Sequence, residues 1–211
     1  MAHIVLIGDS IFDNGRYTLG QPDVITQVRR LVPQGWQATL LAVDGSTTAE
    51  VPSQLQRLPS DASHLVLSIG GNNAIMNAGI LNTPVKSSGE ALRGLAMIAA
   101  DFEGGYRSTV KMCRVVKLPL AVCTIYNGWF DDSGYQQLIS TALMIFNDTI
   151  LRVAIDLKLP VIDLRFICTS KEDYANPIEP SSSGGAKIAR AIVGLVSKGY
   201  GESDASYVTV A

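Results

Sequence analysis

Three short segments of the chain carry groups suited to acyl transfer. Ser10 ends the sequence Gly-Asp-Ser, Gly45 is the centre of Asp-Gly-Ser, and Asn72 lies in Gly-Gly-Asn-Asn. A serine at a tight strand-to-helix turn can act as a nucleophile. Backbone N–H groups and an asparagine amide can stabilise the oxyanion of a tetrahedral intermediate, by about 3–4 kcal/mol per donor. The three segments predict acyl-transfer chemistry if the fold brings them together.

The pattern of apolar residues predicts a fold that brings the three segments together. Five short, continuous apolar runs alternate with longer helical patterns, which is typical of a parallel sheet covered by helices on both faces. The candidate strands are Ile4–Ile7, Ala38–Val43, Leu65–Ile69, Leu120–Ile125 and Val161–Leu164. We therefore predict one α/β domain over residues 1–211, a three-layer α/β/α sandwich with a five-stranded parallel sheet in the flavodoxin-like order 2-1-3-4-5.

Capping patterns indicate where several helices begin. The capping-box pattern occurs at Thr47-x-x-Glu50, Ser87-x-x-Glu90 and Ser133-x-x-Gln136. The segment after Ser87 is longer than one ordinary helix, and Gly104-Gly105 is expected to break or kink it. Gly199 is expected to close the last helix.

In this strand order the three segments meet. Ser10, Gly45 and Asn72 follow the first, second and third strands, which are neighbours, and ligands in such folds bind at the carboxyl ends of the strands. Each segment taken alone is also an ordinary turn sequence. Their position at three successive strand ends favours the functional interpretation.

Composition excludes several function classes. Lys and Arg number 17 against 19 Asp and Glu, a formal charge of -2, so the chain lacks the basic surface typical of nucleic-acid binding. The sequence contains no run of 18 apolar residues, so no membrane span is predicted. Cys113, Cys123 and Cys168 form no CxxC pair, and their odd number argues against a disulfide framework. A cytoplasmic location is the expectation.

Histidine is scarce, which limits both metal chemistry and catalysis. The chain has only His3 and His64, so a histidine-rich metal site is not expected. Both begin predicted strands, at the edge of the sheet opposite Ser10. A strand rises about 3.3 Å per residue, which places each more than ~15 Å from the candidate site. Neither is expected to act as the base.

The motifs resemble those of the SGNH (GDSL-type) hydrolases along the whole chain. Gly8-Asp9-Ser10 is similar to the first block of that family, whose serine is the nucleophile and whose backbone amide contributes to the oxyanion hole. Gly45 is similar to the glycine of the second block, and Gly70-Gly71-Asn72-Asn73 resembles the third, Gly-x-Asn-Asp. The resemblance implies an oxyanion hole formed by the Ser10 amide, the Gly45 amide and the Asn72 side chain.

The chain departs from the family pattern at the last block. Where the family has Asp-x-x-His before the final helix, the sequence has Asn176-Pro177-Ile178-Glu179, followed by Pro-Ser as in the family. Glu179 stands in place of the histidine and Asn176 in place of the aspartate. The third block ends in Asn73 instead of Asp, which is expected to be a mild structural change.

The paired substitution has a chemical interpretation. A carboxylate can take a proton from serine, but a Glu pKa near 4.3 makes a weak base at neutral pH, so burial must raise it. A carboxylate also needs a donor behind it, and we expect the Asn176 amide to donate to Glu179. The alternatives are that Glu179 is a solvated carboxylate at a helix start, or that Asp173 is the relevant carboxylate.

These observations predict a hydrolase of carboxylic esters in the esterase, lipase or deacetylase class, with a small-molecule ester as its partner and neither a cofactor nor a metal. The catalytic candidates are Ser10, Gly45, Asn72, Glu179 and Asn176. The alternative is a degenerate member of the fold that binds an acyl group, a sugar or a partner without turnover. A nucleotide or flavin binder is disfavoured because no phosphate-binding loop occurs. The sequence leaves the acyl chain, the alcohol and the oligomeric state open.

Overall fold

The computed structural model describes residues 1–199 and 207–210 and shows a parallel sheet between two layers of helices. The strands are β1 (His3–Gly8), β2 (Gln37–Leu40), β3 (His64–Ser68), β4 (Leu120–Cys123), β5 (Val161–Ile162) and β6 (Val208–Thr209). The helices are α1 (Val24–Leu31), α2 (Val51–Leu55), α3 (Gly71–Met76), α4 (Ser88–Val115), α5 (Ser133–Asp156) and α6 (Ser182–Lys198).

The strand order is β2-β1-β3-β4-β5-β6, which confirms the predicted α/β class and the order of the first five strands. The predicted count of five strands was wrong. Val208 pairs in parallel with Val161, so that β6 extends the sheet beyond β5. A two-residue strand is too short for a periodicity to show in the sequence, and only its partner strand defines it.

Alternating side chains of the sheet build two separate cores. Ile4 and Leu6 of β1 pack on one face with α1 and α6, whereas Val5 and Ile7 pack on the other face with α4 and α5. The strands are apolar on both faces because both faces are covered. The carboxyl ends of β1 and β3 are thereby fixed side by side, with Leu6 opposite Val66.

The helix boundaries only partly follow the capping patterns. Ser87 caps α4 as predicted, accepting the backbone N–H of Glu90 at 3.1 Å, and Gly199 caps α6. Asp132, one residue before the predicted Ser133, caps α5. The pattern beginning at Thr47 closes a turn, and α2 begins only at Val51.

The expected break at Gly104-Gly105 was wrong, since α4 runs unbroken from Ser88 to Val115. Buried residues on both sides of the glycines, including Phe102 and Tyr106, hold the helix against the sheet. A Cβ on Gly105 would lie 3.2 Å from the Thr48 hydroxyl. The absence of a side chain therefore allows close packing without ending the helix.

In the described part of the chain, α5 is the one helix whose length and apolar composition would allow it to cross a membrane. It packs along α4 and against β4. A core helix of an α/β layer has the same composition, so this feature is weak evidence for a membrane span.

Candidate active site

A sharp turn at the end of β1 presents Ser10. Gly8 has a φ of +132°, and a Cβ there would lie 1.8 Å from the carbonyl oxygen of Ser68. Only glycine fits this close approach of β1 to β3. The N–H of Asp9 donates to the same carbonyl at 3.1 Å, and Ser10 follows directly, 7 % exposed. The turn therefore fixes the serine at the predicted edge of the sheet.

Glu179 lies against the serine. The Ser10 hydroxyl donates to Oε1 of Glu179 at 3.1 Å, across 169 residues of sequence. The carboxylate is buried, and its Oε2 has no hydrogen-bond partner among the described residues. Burial raises the pKa of Glu179 from 4.5 to about 7, while the bond from Ser10 acts in the opposite direction. A carboxylate in this state can accept a proton near neutral pH.

A second buried carboxyl group, Asp9, lies beside the pair. Its Oδ1 accepts the N–H of Ile11 at 3.1 Å, and its Oδ2 has no partner among the described residues. Burial first, and then the charge of Glu179, raise the pKa of Asp9 to about 7. Sequence reasoning assigned Asp9 no role beyond the motif. The burial of Asp9, one position before Ser10, becomes apparent only from the fold.

The loop that carries Glu179 is held from three sides through its backbone. The buried Asn14 amide donates to the carbonyl of Pro180 at 3.0 Å, and the Tyr126 hydroxyl donates to that of Ile178 at 2.7 Å. The Asn176 side-chain oxygen accepts the N–H of Glu179 at 2.9 Å. These bonds on both flanks of Glu179 fix where its side chain enters the site.

The expected bond from the Asn176 amide to the Glu179 carboxylate is not formed. The Asn176 oxygen faces the backbone N–H groups of Ile178 and Glu179. Among the residues that the structure describes, the side chain that donates to the carboxylate is that of Ser10, through Oε1. Asn176 therefore positions the backbone of the Glu179 loop. Its side-chain oxygen forms a local turn with the residues that follow, and its amide makes no bond to the Glu179 carboxylate.

The residues predicted to form an oxyanion hole follow neighbouring strands. One N–H of the Asn72 amide donates to the Ser46 carbonyl at 2.8 Å, which ties the third motif to the second and leaves the other N–H of that amide for a ligand. Asn72 lines a cavity together with Ser10 and Glu179. Gly45 is not part of the cavity wall. It lies in the exposed turn before Ser46, with a φ of +83°.

The residues that follow each motif connect the loops to one another. Asn73 binds the backbone N–H of Thr48 through its oxygen at 3.2 Å and the Thr48 hydroxyl through its amide. The side chain of an aspartate at position 73 has no N–H to donate, so it could keep both bonds only if the Thr48 hydroxyl donated to it. The N–H of Asp44, next to Gly45, donates to Asp13 at 2.9 Å. The second motif is thus held by side chains from the first and third.

Gln54 of α2 is a positioning residue that the sequence analysis missed. It is 1 % exposed, accepts the Gly8 N–H at 2.8 Å and donates to the Gly8 carbonyl at 2.7 Å. Its amide also lies 3.2 Å from the Ser46 hydroxyl. Gln54 thereby joins the end of β1 to the loop of Gly45. A glutamine in a short helix does not indicate from the sequence that its side chain binds a backbone group 46 residues away.

Replacing Gln54 by Leu is expected to lower the free energy of unfolding by about 1–3 kcal/mol, because it leaves the Gly8 N–H buried without a partner and removes one of the two bonds to the Gly8 carbonyl, which also accepts the Val43 N–H. Chemical denaturation measures the change. Gln56→Leu is the matched control, since Gln56 is exposed two residues later and is expected to change stability by less than about 0.5 kcal/mol. Equal losses in the two variants would show that the bonds to Gly8 contribute nothing.

The other candidate groups lie outside the cavity. His3 and His64 begin β1 and β3, at the opposite edge of the sheet, and His3 contacts Asp61 and Thr39. Asp173 is buried in an ion pair with Lys187 at 2.7 Å, and its hydrogen bonds with Lys187 and Ser170 hold its pKa below the usual range against the effect of burial. Asp173 is therefore a structural carboxylate.

Metal binding has no evident place in the described residues. No group of three or more His, Cys, Asp or Glu side chains in residues 1–199 and 207–210 could hold an ion. The three cysteines are buried as free thiols, and burial raises the pKa of Cys113 and Cys168 to about 12. A buried neutral thiol is a poor nucleophile.

Comparisons with known proteins agree with the geometry. The model of the GDSL-like lipase/acylhydrolase family matches residues 6–186. Among curated proteins none is similar enough in sequence to match. Solved structures share the fold: an extracellular lipase from Streptomyces rimosus (14% identity, TM-score 0.66, covering 95% of this chain and 100% of that one), a phospholipase A1 from Streptomyces albidoflavus NA297 (16%, 0.65, 93% and 98%), and a lipase/acylhydrolase from Enterococcus faecalis (20%, 0.59, 92% and 97%).

Proposed function

Because the chain belongs to the GDSL-like lipase/acylhydrolase family, a family of ester hydrolases, we propose that it cleaves carboxylic esters with Ser10 as nucleophile and Glu179 as base. The observation that carries the proposal is the 3.1 Å bond from the Ser10 hydroxyl to a buried carboxylate whose pKa is raised to about 7. A base with a pKa near the working pH transfers protons effectively in both directions.

In the first half-reaction, Oγ of Ser10 attacks the ester carbonyl carbon while its proton passes to Oε1 of Glu179. The carbonyl oxygen becomes an oxyanion. The proposed donors to it are the backbone N–H of Ser10, the second N–H of the Asn72 amide and the N–H of Gly45, which lies outside the cavity wall in the turn that Asn72 binds through Ser46. The protonated Glu179 then gives its proton to the leaving alcohol as the carbon–oxygen bond breaks, and an acyl-serine remains.

In the second half-reaction, Glu179 is a carboxylate again and accepts a proton from a water molecule. The hydroxide equivalent attacks the acyl-serine, and the same donors stabilise the second oxyanion. Collapse returns the proton from Glu179 to Oγ of Ser10 and releases the carboxylic acid. Each step uses one proton and one acceptor, so a single carboxylate can perform the transfers for which the family uses histidine.

The pH dependence tests the assignment of the base. Glu179 acts in its charged form, so kcat/KM for p-nitrophenyl butanoate is expected to rise with pH, level off above about pH 7, and be roughly a hundredfold lower at pH 5 than on the plateau. An unperturbed Glu would give a plateau already above about pH 5. Stopped assays from pH 4.5 to 8.5, corrected with Ser10→Ala as the blank, measure the profile.

Asp9 provides the control for this profile because its pKa is also raised to about 7. Other charges acting on Glu179 are Asp44, which raises its pKa, and Arg16, which lowers it. Asp9→Asn keeps an oxygen for the Ile11 N–H and removes the ionisation. An inflection that persists near pH 7 in this variant belongs to Glu179. A profile that becomes flat below pH 7 would assign the ionisation to Asp9 and count against Glu179 as the base.

A ligand-binding protein without turnover is the second candidate. The observation that favours it is the absence of an imidazole among the side chains lining the cavity. Failure of Ser10 to react with acyl and phosphonyl probes between pH 4 and 9, together with a ligand-dependent rise in melting temperature, would establish this alternative. The cytoplasmic location expected from the cysteines stays a prediction.

A further inference from the structure

The cavity that begins at Ser10 continues into a long aliphatic cleft. Its volume is about 250 Å³, and Ser10, Asn72, Asp9 and Glu179 form part of its wall. The two carboxyl groups are its only charged lining residues. The remainder of the wall is mainly aliphatic and includes Ile80, Leu81, Leu95, Ile98, Ile139 and Leu143. Pockets of this kind, apolar with a few polar groups at one end, typically bind small molecules.

Much of the wall of the cleft comes from segments that the core of the sheet does not bury. No side chain in residues 71–101 is buried, and none in residues 133–145, although both stretches contain many apolar residues. On α4 burial begins at Phe102, and on α5 at Phe146. The first halves of the two helices therefore extend past the core of the sheet. The apolar side chains of these halves that line the cleft, such as Leu95, Ile139 and Leu143, are half-buried.

Local packing closes the outer side of the cleft. Gly94 of α4 allows the helix to approach the 3-10 turn at 78–82, since a Cβ there would lie 3.0 Å from Cδ1 of Ile80. Asn77 is one of the few polar residues of the wall, and its amide already donates to the Asn73 carbonyl at 2.9 Å. A sugar ring would find few hydrogen-bond partners on this wall, whereas an alkyl chain needs none.

We propose that this cleft is the acyl subsite, and that the enzyme acts on esters of medium-chain aliphatic acids in preference to acetate esters. The inference rests on the proposed function. The leaving oxygen must lie beside Glu179 to receive its proton. A second cleft is lined by Asn176 and Ser181, on either side of Glu179 in the chain, and by Arg16. The alcohol is assigned to that side. The acyl chain then extends the other way, past Asn72 and between α4 and α5.

A series of p-nitrophenyl esters from acetate through butanoate and octanoate to dodecanoate tests the subsite. Each methylene buried in the cleft can raise kcat/KM by about threefold to fourfold. We therefore expect octanoate to exceed acetate by at least about tenfold. Ala142 of α5 lines the cleft, and Ala142→Phe is expected to lower kcat/KM for octanoate at least about tenfold while changing that for acetate by less than about threefold.

Met144→Phe is the matched control, because Met144 lies two residues later on α5, is 62% exposed and does not line the cleft. It is expected to leave the chain-length profile unchanged. Ser10-dependent hydrolysis that is as fast with acetate as with octanoate, and insensitive to Ala142→Phe, would overturn the acyl subsite while leaving the proposed function intact. An equal loss with both esters in Ala142→Phe would also count against it.

Binding without turnover separates the two proposals further. If no ester is cleaved by the wild type, the proposed function fails, and the subsite is tested with octanamide, a neutral probe that the two carboxyl groups do not repel. A rise in melting temperature with octanamide that Ala142→Phe removes and Met144→Phe keeps would support the acyl subsite. No rise in the wild type would overturn it.

Discussion

Glu179→Gln and Ser10→Ala are each expected to lower kcat/KM for ester hydrolysis by about a hundredfold to ten-thousandfold, and the double variant is expected to be no less active than the weaker single one. Glutamine has nearly the shape of glutamate and can still accept the 3.1 Å bond from the Ser10 hydroxyl, but it cannot take the proton. Residues that act as one unit give losses that do not add. Initial rates with a p-nitrophenyl ester at pH 8 measure all three variants.

Glu172→Gln is the matched control for the loss of charge, because Glu172 lies seven residues earlier and is exposed. It is expected to retain the wild-type rate. Losses in Ser10→Ala and Glu179→Gln that multiply in the double variant would contradict a shared proton transfer. A Glu179→Gln enzyme as active as the wild type would remove Glu179 from the mechanism even if Ser10 were essential.

The part of the site that could be predicted from the sequence is the part fixed by local turns and strand order. Ser10 and Asn72 follow neighbouring parallel strands, so knowing the order was enough to bring them together. Glu179 lies against Ser10 because it occupies the position of the family's histidine, at the same distance in sequence from the final helix. In each case a short pattern determines the position of a residue relative to the sheet edge.

The contacts that hold these residues in place could not be predicted in the same way. Gln54, Asn14 and Tyr126 act through bonds to backbone groups of Gly8, Pro180 and Ile178, which are 46, 166 and 52 residues away in the chain. A single sequence does not reveal such pairs, because the residue type does not show whether an amide is buried or which distant group it binds. Asn176 was placed correctly, but the direction of its side chain was not.

Exchange of histidine for glutamate changes what the surrounding protein must supply. A neutral imidazole needs an acceptor on its second nitrogen, whereas a carboxylate base needs a raised pKa, which burial provides at Glu179. Asn176 is uncharged and bonds the backbone of the loop, so no further negative charge lies at this position. These bonds go to backbone N–H groups, so they do not require a particular side chain at position 179.

The effect of Asn176→Asp is therefore expected to change sign with the residue at position 179. In the presence of Glu179, the new carboxylate is a like charge that raises the pKa of the base further, and kcat/KM at pH 7 is expected to fall several-fold. In the Glu179→His background, one oxygen of the aspartate can keep the backbone bonds that Asn176 makes. The other oxygen can accept the imidazole N–H, and kcat/KM is expected to rise at least about tenfold.

The double-mutant cycle measures this exchange directly. Rates of the wild type, Asn176→Asp, Glu179→His and the double variant at pH 7 are expected to give a coupling of about 2 kcal/mol that favours the two matched pairs, Asn with Glu and Asp with His. Melting temperatures of all four proteins control for stability. Additive effects would show that position 176 does not respond to the base and only shapes the loop. A positive coupling means that the oxyanion hole is intact and that the chain accepts either of two alternative bases.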